Sequence, residues 1–137
     1  MFDAVPVYEL DSQILRQHQQ IGPLAHFDAA NLAVDPTNQS MGLIRAIFKS
    51  AKLDGASLKN AKLMRALLEF TSLRETDLEG ANMSGSELAG ADLTGANIAG
   101  ADFNAADVNS AKLLSLRGQD KALNFDRAIN LDRAYRD

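Results

Sequence analysis

From Ala46 to Ser115 the sequence divides into fives without a break: AIFKS, AKLDG, ASLKN, AKLMR, ALLEF, TSLRE, TDLEG, ANMSG, SELAG, ADLTG, ANIAG, ADFNA, ADVNS, AKLLS. Fourteen consecutive pentads constrain the fold more than any other property of the chain. The first position is Ala eleven times, with Thr71, Thr76 and Ser86 as the exceptions. The third is always apolar: nine Leu, plus Phe48, Met83, Ile98, Phe103 and Val108. The second is mostly polar, and the fifth is Gly six times.

A period of five fits neither common element. On an α-helix five residues advance about 500°, so the Leu series would wind around the cylinder and form no single apolar face. Gly at 80, 85, 90, 95 and 100 also disfavours a helix. A flat strand needs alternation over about four to eight residues. Within one pentad the first and third residues do alternate with the second, so they point to one side while the second points away. Two residues then turn a corner. Gly as the second central residue of that turn suits type II, which needs positive φ there. Where Arg65, Phe70 or Glu75 stands instead, a type I corner is expected. Each pentad is therefore one side and one corner, with the small first residue and the large third residue filling the interior. Successive coils would stack at about 4.8 Å through backbone hydrogen bonds.

The pattern A-[D/N]-L-x-x resembles the pentapeptide-repeat family, most clearly at Ala91-Asp92-Leu93, Ala96-Asn97-Ile98 and Ala101-Asp102-Phe103. The resemblance implies an all-β fold, a right-handed quadrilateral β-helix with four pentads per coil. Residues twenty apart, such as Leu53, Leu73, Leu93 and Leu113, should then stack.

The whole chain, 1–137, reads as one domain. Imperfect pentads at Ala25-His26-Phe27, Ala30-Asn31-Leu32 and Met41-Gly42-Leu43 give an irregular first coil over 24–45, with a corner loop at Asp35–Ser40. Residues 1–23 are expected to form an N-terminal cap, with a short α-helix from Asp11 or Ser12 through Gln20 and stop signals at Gly22 and Pro23. Regular pentads fill 46–115. Residues 116–137 are expected to cap the other end, where the period becomes six: Ala122-Leu-Asn-Phe-Asp-Arg127, then Ala128-Ile-Asn-Leu-Asp-Arg133. Docking of this tail on the last coil, as turns or a short helix, competes with a homodimer contact through Phe125, Ile129 and Leu131.

Composition excludes several chemistries. There is no Cys, hence no disulfide or thiolate site, and His18 and His26 are the only histidines. No catalytic residue, metal site or cofactor is expected. The G-x-x-x-x-G spacing of 80 to 100 lacks the Lys-Ser/Thr of a phosphate loop, since Ser86-Glu87 follow Gly85. The net charge of -4 argues against direct nucleic-acid binding. The first residues carry no basic region, so no secretory leader is expected, and no run of 18 apolar residues points to a membrane span. A cytoplasmic location is expected.

Charge is unevenly spread. Residues 41–75 hold seven basic and three acidic side chains, whereas residues 76–110 hold six acids and no base. Those acids are Asp77, Glu79, Glu87, Asp92, Asp102 and Asp107. One branch of the resembled family, the quinolone-resistance and gyrase-inhibitor proteins, is thought to present such faces as DNA mimics, which would make a type II topoisomerase the partner. The competing explanation is local. Most of these acids occupy position two, where a short polar group bonds nearby backbone.

A second candidate surface is apolar. Ile47 and Leu67 occupy the outward second position twenty apart, with Met64 and Phe70 near by in sequence. Either residues 10–21 or 35–40 cover this patch, or a protein partner does. The function expected is that of a non-enzymatic, rigid protein-binding or scaffold module, with the DNA-mimic regulator as the alternative.

Overall fold

The structure, a computed structural model, describes residues 42–137. The helix expected over 11–20, the pentads and loop of 24–41 and both histidines lie outside the described residues.

Every third-position side chain from Phe48 to Leu113 is buried, as is every first-position residue from Ala46 to Ala111. Alternation within a pentad explains this directly: positions one and three share the inner side of the chain, and position two faces out. The polar first-position residues adapt in different ways. Thr71 Oγ1 donates to Phe48 O (2.7 Å) and Thr76 Oγ1 to Leu73 O (2.8 Å). Ser86 Oγ is buried with no hydrogen-bond partner.

Coils are joined through backbone. Ile47 pairs in parallel with Leu67, Leu67 with Glu87 and Glu87 with Asp107, and the other three sides repeat the same spacing of twenty. Four pentads therefore make one coil. A representative link runs from Leu53 N–H to Ser72 O (2.7 Å), and the return link from Ser72 N–H to Ala51 O (3.0 Å). Each corner is closed by a turn bond, such as Ala56 N–H to Leu53 O at 3.0 Å.

The corners correct one expectation. Arg65, Phe70 and Glu75 have φ of 58°, 59° and 56°, in the same left-handed region as Gly90 at 69°. None is type I, whose second central residue has negative φ. Stacking is the reason. The N–H groups of Arg65, Phe70 and Glu75 donate to Ser84 O, Ala89 O and Thr94 O of the next coil, as glycine corners do. A type I corner would break that ladder, so the coil imposes left-handed backbone on non-glycine residues, at about 1–2 kcal/mol each.

The hexads continue the coil with one extra residue per side. Asn97 pairs with Arg117 at a spacing of twenty, but Asp102 pairs with Leu123 and Asp107 with Ile129. Strand β1 (Lys112–Leu113) pairs in parallel with β2 (Tyr135–Arg136), Lys112 opposite Tyr135. Each full hexad makes a 3-10 turn, at Gln119–Lys121, Phe125–Arg127 and Leu131–Arg133. The residue before each turn, Gly118, Asn124 or Asn130, is left-handed. The inward role thereby moves from the third residue to the fourth.

Phe125 shows the result. It is 9% exposed and meets Phe103 edge to face, with centroids 5.4 Å apart. The Arg136 guanidinium lies over the Phe125 ring, 5.6 Å from its centroid. The three residues expected at a dimer contact are thereby divided. Phe125 is turned into the solenoid, Leu131 is partly buried against the core, and only Ile129 of the three is on the outer surface, 49% exposed.

Candidate interaction surfaces

Four outer faces follow from four sides. One face carries, coil by coil, Ile47, Leu67, Glu87, Asp107 and Ile129 at the outward position. Ile47 and Leu67 are half-buried neighbours there. Phe70 sits on the corner that ends this face and is 70% exposed. Met64, half-buried, belongs to the preceding side, beyond the corner at Arg65. The four apolar residues singled out in the sequence thus divide into a column of two, a corner aromatic and a neighbour on the adjoining face.

The same face holds a carboxyl pair that the pentad pattern did not single out. Glu69 has a side chain only 14% exposed and meets Lys49 Nζ at 3.4 Å, while its Oε2 is buried without a partner. Glu87 stands on the next coil. A hydrogen bond to Glu69, then burial, then repulsion by the Glu69 charge raise the Glu87 carboxyl above its ordinary value; Asp107 adds to this and Lys49 opposes it. Glu69 occupies position four and Glu87 position two of successive coils. A spacing of eighteen is a signal once the coil length is known.

The six acids are not gathered on one face. Asp77 and Glu79 share a side, Glu87 and Asp107 share another, and Asp92 and Asp102 take one each. The aspartates are engaged in building the coil. Oδ1 of Asp77, Asp92, Asp102 and Asp107 each accepts the N–H two residues on, at 3.0 Å, and Asn82 and Asn97 make the same bond. Asparagines of the next coil add to three of them: Asn97 to Asp77, Asn124 to Asp102 and Asn130 to Asp107. Cations neutralise two more positions, Lys59 at Glu79 (3.5 Å) and Arg74 at Asp92 (3.6 Å). For Asp92 burial is the largest influence and opposes ionisation, but the Thr94 hydroxyl and N–H, with Lys112 and Arg74, outweigh it and hold the carboxyl below its ordinary value.

Among the described residues no group of three or more His, Cys, Asp or Glu side chains is placed to hold a metal ion, and no helix is long and apolar enough to cross a membrane.

A family model for pentapeptide repeats matches residues 43–69 and 71–109 in eight copies. No curated protein sequence matches the chain. Among solved structures, the pentapeptide-repeat protein Rfr23 from the cyanobacterium Cyanothece 51142 is 22% identical, with 95% of each chain covered and a TM-score of 0.46. Full-length QnrB1, a plasmid-mediated fluoroquinolone resistance protein, is 19% identical over 82% of this chain, with a TM-score of 0.46. This chain spans about half, 51%, of its length. HetL of Nostoc sp. strain PCC 7120, a pentapeptide-repeat protein involved in heterocyst differentiation regulation, is 21% identical over 85% of this chain and 63% of its own, with a TM-score of 0.24. Fourteen tandem pentads, a buried first and third position and a coil of twenty residues agree with the family model: the chain is a member of the pentapeptide-repeat family, whose fold is a right-handed β-helix.

Proposed function

We propose that this chain is a non-enzymatic, rigid protein-binding or scaffold module of the cytoplasm, and that its binding face is the one carrying Ile47 and Leu67, with Phe70 at its edge. The observation that supports this reading is the exposure of Phe70, 70%, beside the only outward column among the described residues with two consecutive pentad aliphatics. Among the described residues, the side chains of positions one and three fill the interior of the pentad coils, which supports the non-enzymatic reading. The C-terminal hexads serve as a cap in one sense: Phe125 and Leu131 close the apolar interior.

Affinity capture with the wild-type chain and with Phe70→Ala and Leu67→Ser variants, read by mass spectrometry, tests the face. Proteins held by the wild type and released by both variants support it. Capture that both variants leave unchanged shows that the binding face lies elsewhere.

The alternative, a DNA-mimic regulator of a type II topoisomerase, draws on the six acids and absent bases of residues 76–110. Their distribution over four faces and their use in backbone and ion-pair contacts weigh against it. A gyrase supercoiling assay separates the two readings. The scaffold reading expects no inhibition at micromolar protein. Inhibition that weakens with salt and falls on Glu87→Gln with Asp107→Asn would reverse the ranking.

A further inference from the structure

Two stretches of the first described coils repeat at the coil length: Ile44-Arg45-Ala46-Ile47 and Met64-Arg65-Ala66-Leu67. Both turn the same corner of the solenoid. Arg45 and Arg65 hold the left-handed corner position, at φ 61° and 58°, and the Arg45 N–H donates to Met64 O at 3.0 Å. Coils rise by about 4.8 Å, so the two arginines stand one above the other. Both are exposed. Half-buried apolar side chains flank them on each shoulder, Ile44 and Met64 before the corner, Ile47 and Leu67 after it.

The fold itself makes little use of these cations. Lys49, Lys59, Arg74 and Arg117 each meet a carboxylate. Neither Arg45 nor Arg65 forms an ion pair among the described residues. Two like charges on adjacent coils repel, and both residues carry the strain of a side chain at positive φ. Glycine takes the same corner one coil on, at 85, without either penalty. The stem of Arg65 rests against that glycine: a methyl group at position 85 would lie 3.3 Å from Arg65 Cγ.

The surroundings decide which anion fits. On the face that follows the corner, the next two outward residues are Glu87 and Asp107. A nucleic-acid strand tracking the solenoid would run from the arginines onto these carboxylates. An anion limited to two coils, with apolar groups beside it, meets no such repulsion. Acidic side chains four apart on an α-helix are about 5–6 Å apart, close to the coil rise. Positions i+3 and i+7 of the same helix supply an apolar stripe alongside.

We propose that the partner of the Ile47–Leu67 face is an acidic amphipathic helix. It lies along the solenoid axis, with two carboxylates on Arg45 and Arg65 and its aliphatic stripe on Ile47 and Leu67. This rests on the reading of that face as the binding surface and adds the chemistry of what it binds. Each guanidinium takes a carboxylate through paired N–H donors. Glu87 limits how far the acidic stripe can extend.

Fluorescence anisotropy of a labelled synthetic helix, with Glu at i and i+4 and Leu at i+3 and i+7, titrated with the full chain, tests this. Binding that weakens with added salt is expected, and a peptide with Lys in place of both Glu should not bind. The double variant Arg45→Gly, Arg65→Gly should raise the dissociation constant on the order of tenfold or more. Glycine already serves this corner at 85, so circular dichroism should be unchanged. A peptide held equally well by the double variant, or a short DNA duplex held more tightly than the peptide, would overturn the assignment. So would absence of peptide binding at near-millimolar chain; if the double variant then also lowers the Tm, the corner belongs to an acidic segment of the chain itself. The capture experiment separates the two readings. Proteins released by Leu67→Ser and Phe70→Ala but retained by the double arginine variant would keep the face and reject the acidic helix.

Discussion

The ring of Phe70 lies on the α-carbon of Gly90, one coil further along the same corner. A methyl group at position 90 would fall 2.6 Å from both Cδ1 and Cε1 of the ring. Asn60 covers Gly80 and Glu75 covers Gly95 in the same way. Large corner side chains in one coil are accommodated by glycines in the next.

Gly90→Ala therefore carries two penalties: left-handed backbone at φ 69°, and a collision with the ring. The first alone costs about 1–2 kcal/mol. The second should vanish in a Phe70→Ala background, since the ring is the obstacle. Chemical denaturation of the four members of this cycle should show that Gly90→Ala costs less when Phe70 is absent. Equal costs in both backgrounds would mean that the ring swings aside freely.

Among the described residues, Ser86 is the one small polar residue of the interior whose hydroxyl finds no partner. Ala holds the same position in eleven pentads. Ser86→Ala should raise stability by about 1 kcal/mol, the cost of an unpaired buried hydroxyl. Thr71→Ala, which removes the bond to Phe48 O, should instead lower it. Matching losses from both substitutions would show that Ser86 is bonded in solution.

Leu73 is fully buried in a central coil. Leu73→Ala should cost about 2–5 kcal/mol through lost burial and the cavity left behind. Ala91→Leu should cost about 1–3 kcal/mol by overfilling the first-position layer. Unchanged denaturation midpoints in both variants would contradict the packing described.

The Glu69–Glu87 pair predicts a pH dependence. Glu87 titrates above its unfolded value of about 4.5, so the folded state holds this proton more tightly than the unfolded chain. Its contribution to stability is complete below that value and is lost as pH rises through the raised folded value. Glu87→Gln, which keeps a donor for Glu69 and removes the charge, should raise the Tm at pH 7 and flatten the profile in that window. Asp92, held below its ordinary value, contributes in the opposite sense: its stabilisation is present above about 3.8 and lost as pH falls through the lowered folded value. Asp92→Asn should therefore weaken the fold at pH 7 and leave it unaffected in strong acid. Identical profiles for wild type and Glu87→Gln would remove the carboxyl pair from the account.

Much of this structure is legible in the order of residues, because a repeat states the same local solution fourteen times. Alternation within the pentad determined which side chains face in. The single period determined that Ile47 stands beside Leu67, and that position-two Asp and Asn lie within reach of backbone two residues on. The tertiary structure decided what depends on stacking. Arg65, Phe70 and Glu75 look locally like type I corners, yet their N–H groups must reach the next coil, and that ladder holds them at positive φ. The six acids look like one ring in the sequence, but a coil of four sides distributes them over four faces. In the hexads, one added residue per side turns the fourth residue inward. Phe125 consequently packs on Phe103, while Leu123, Ile129 and Tyr135 are left on the outer surface. A change of period is visible in the sequence. Which side chain it buries is settled only when the coil beneath fixes where the backbone must bond.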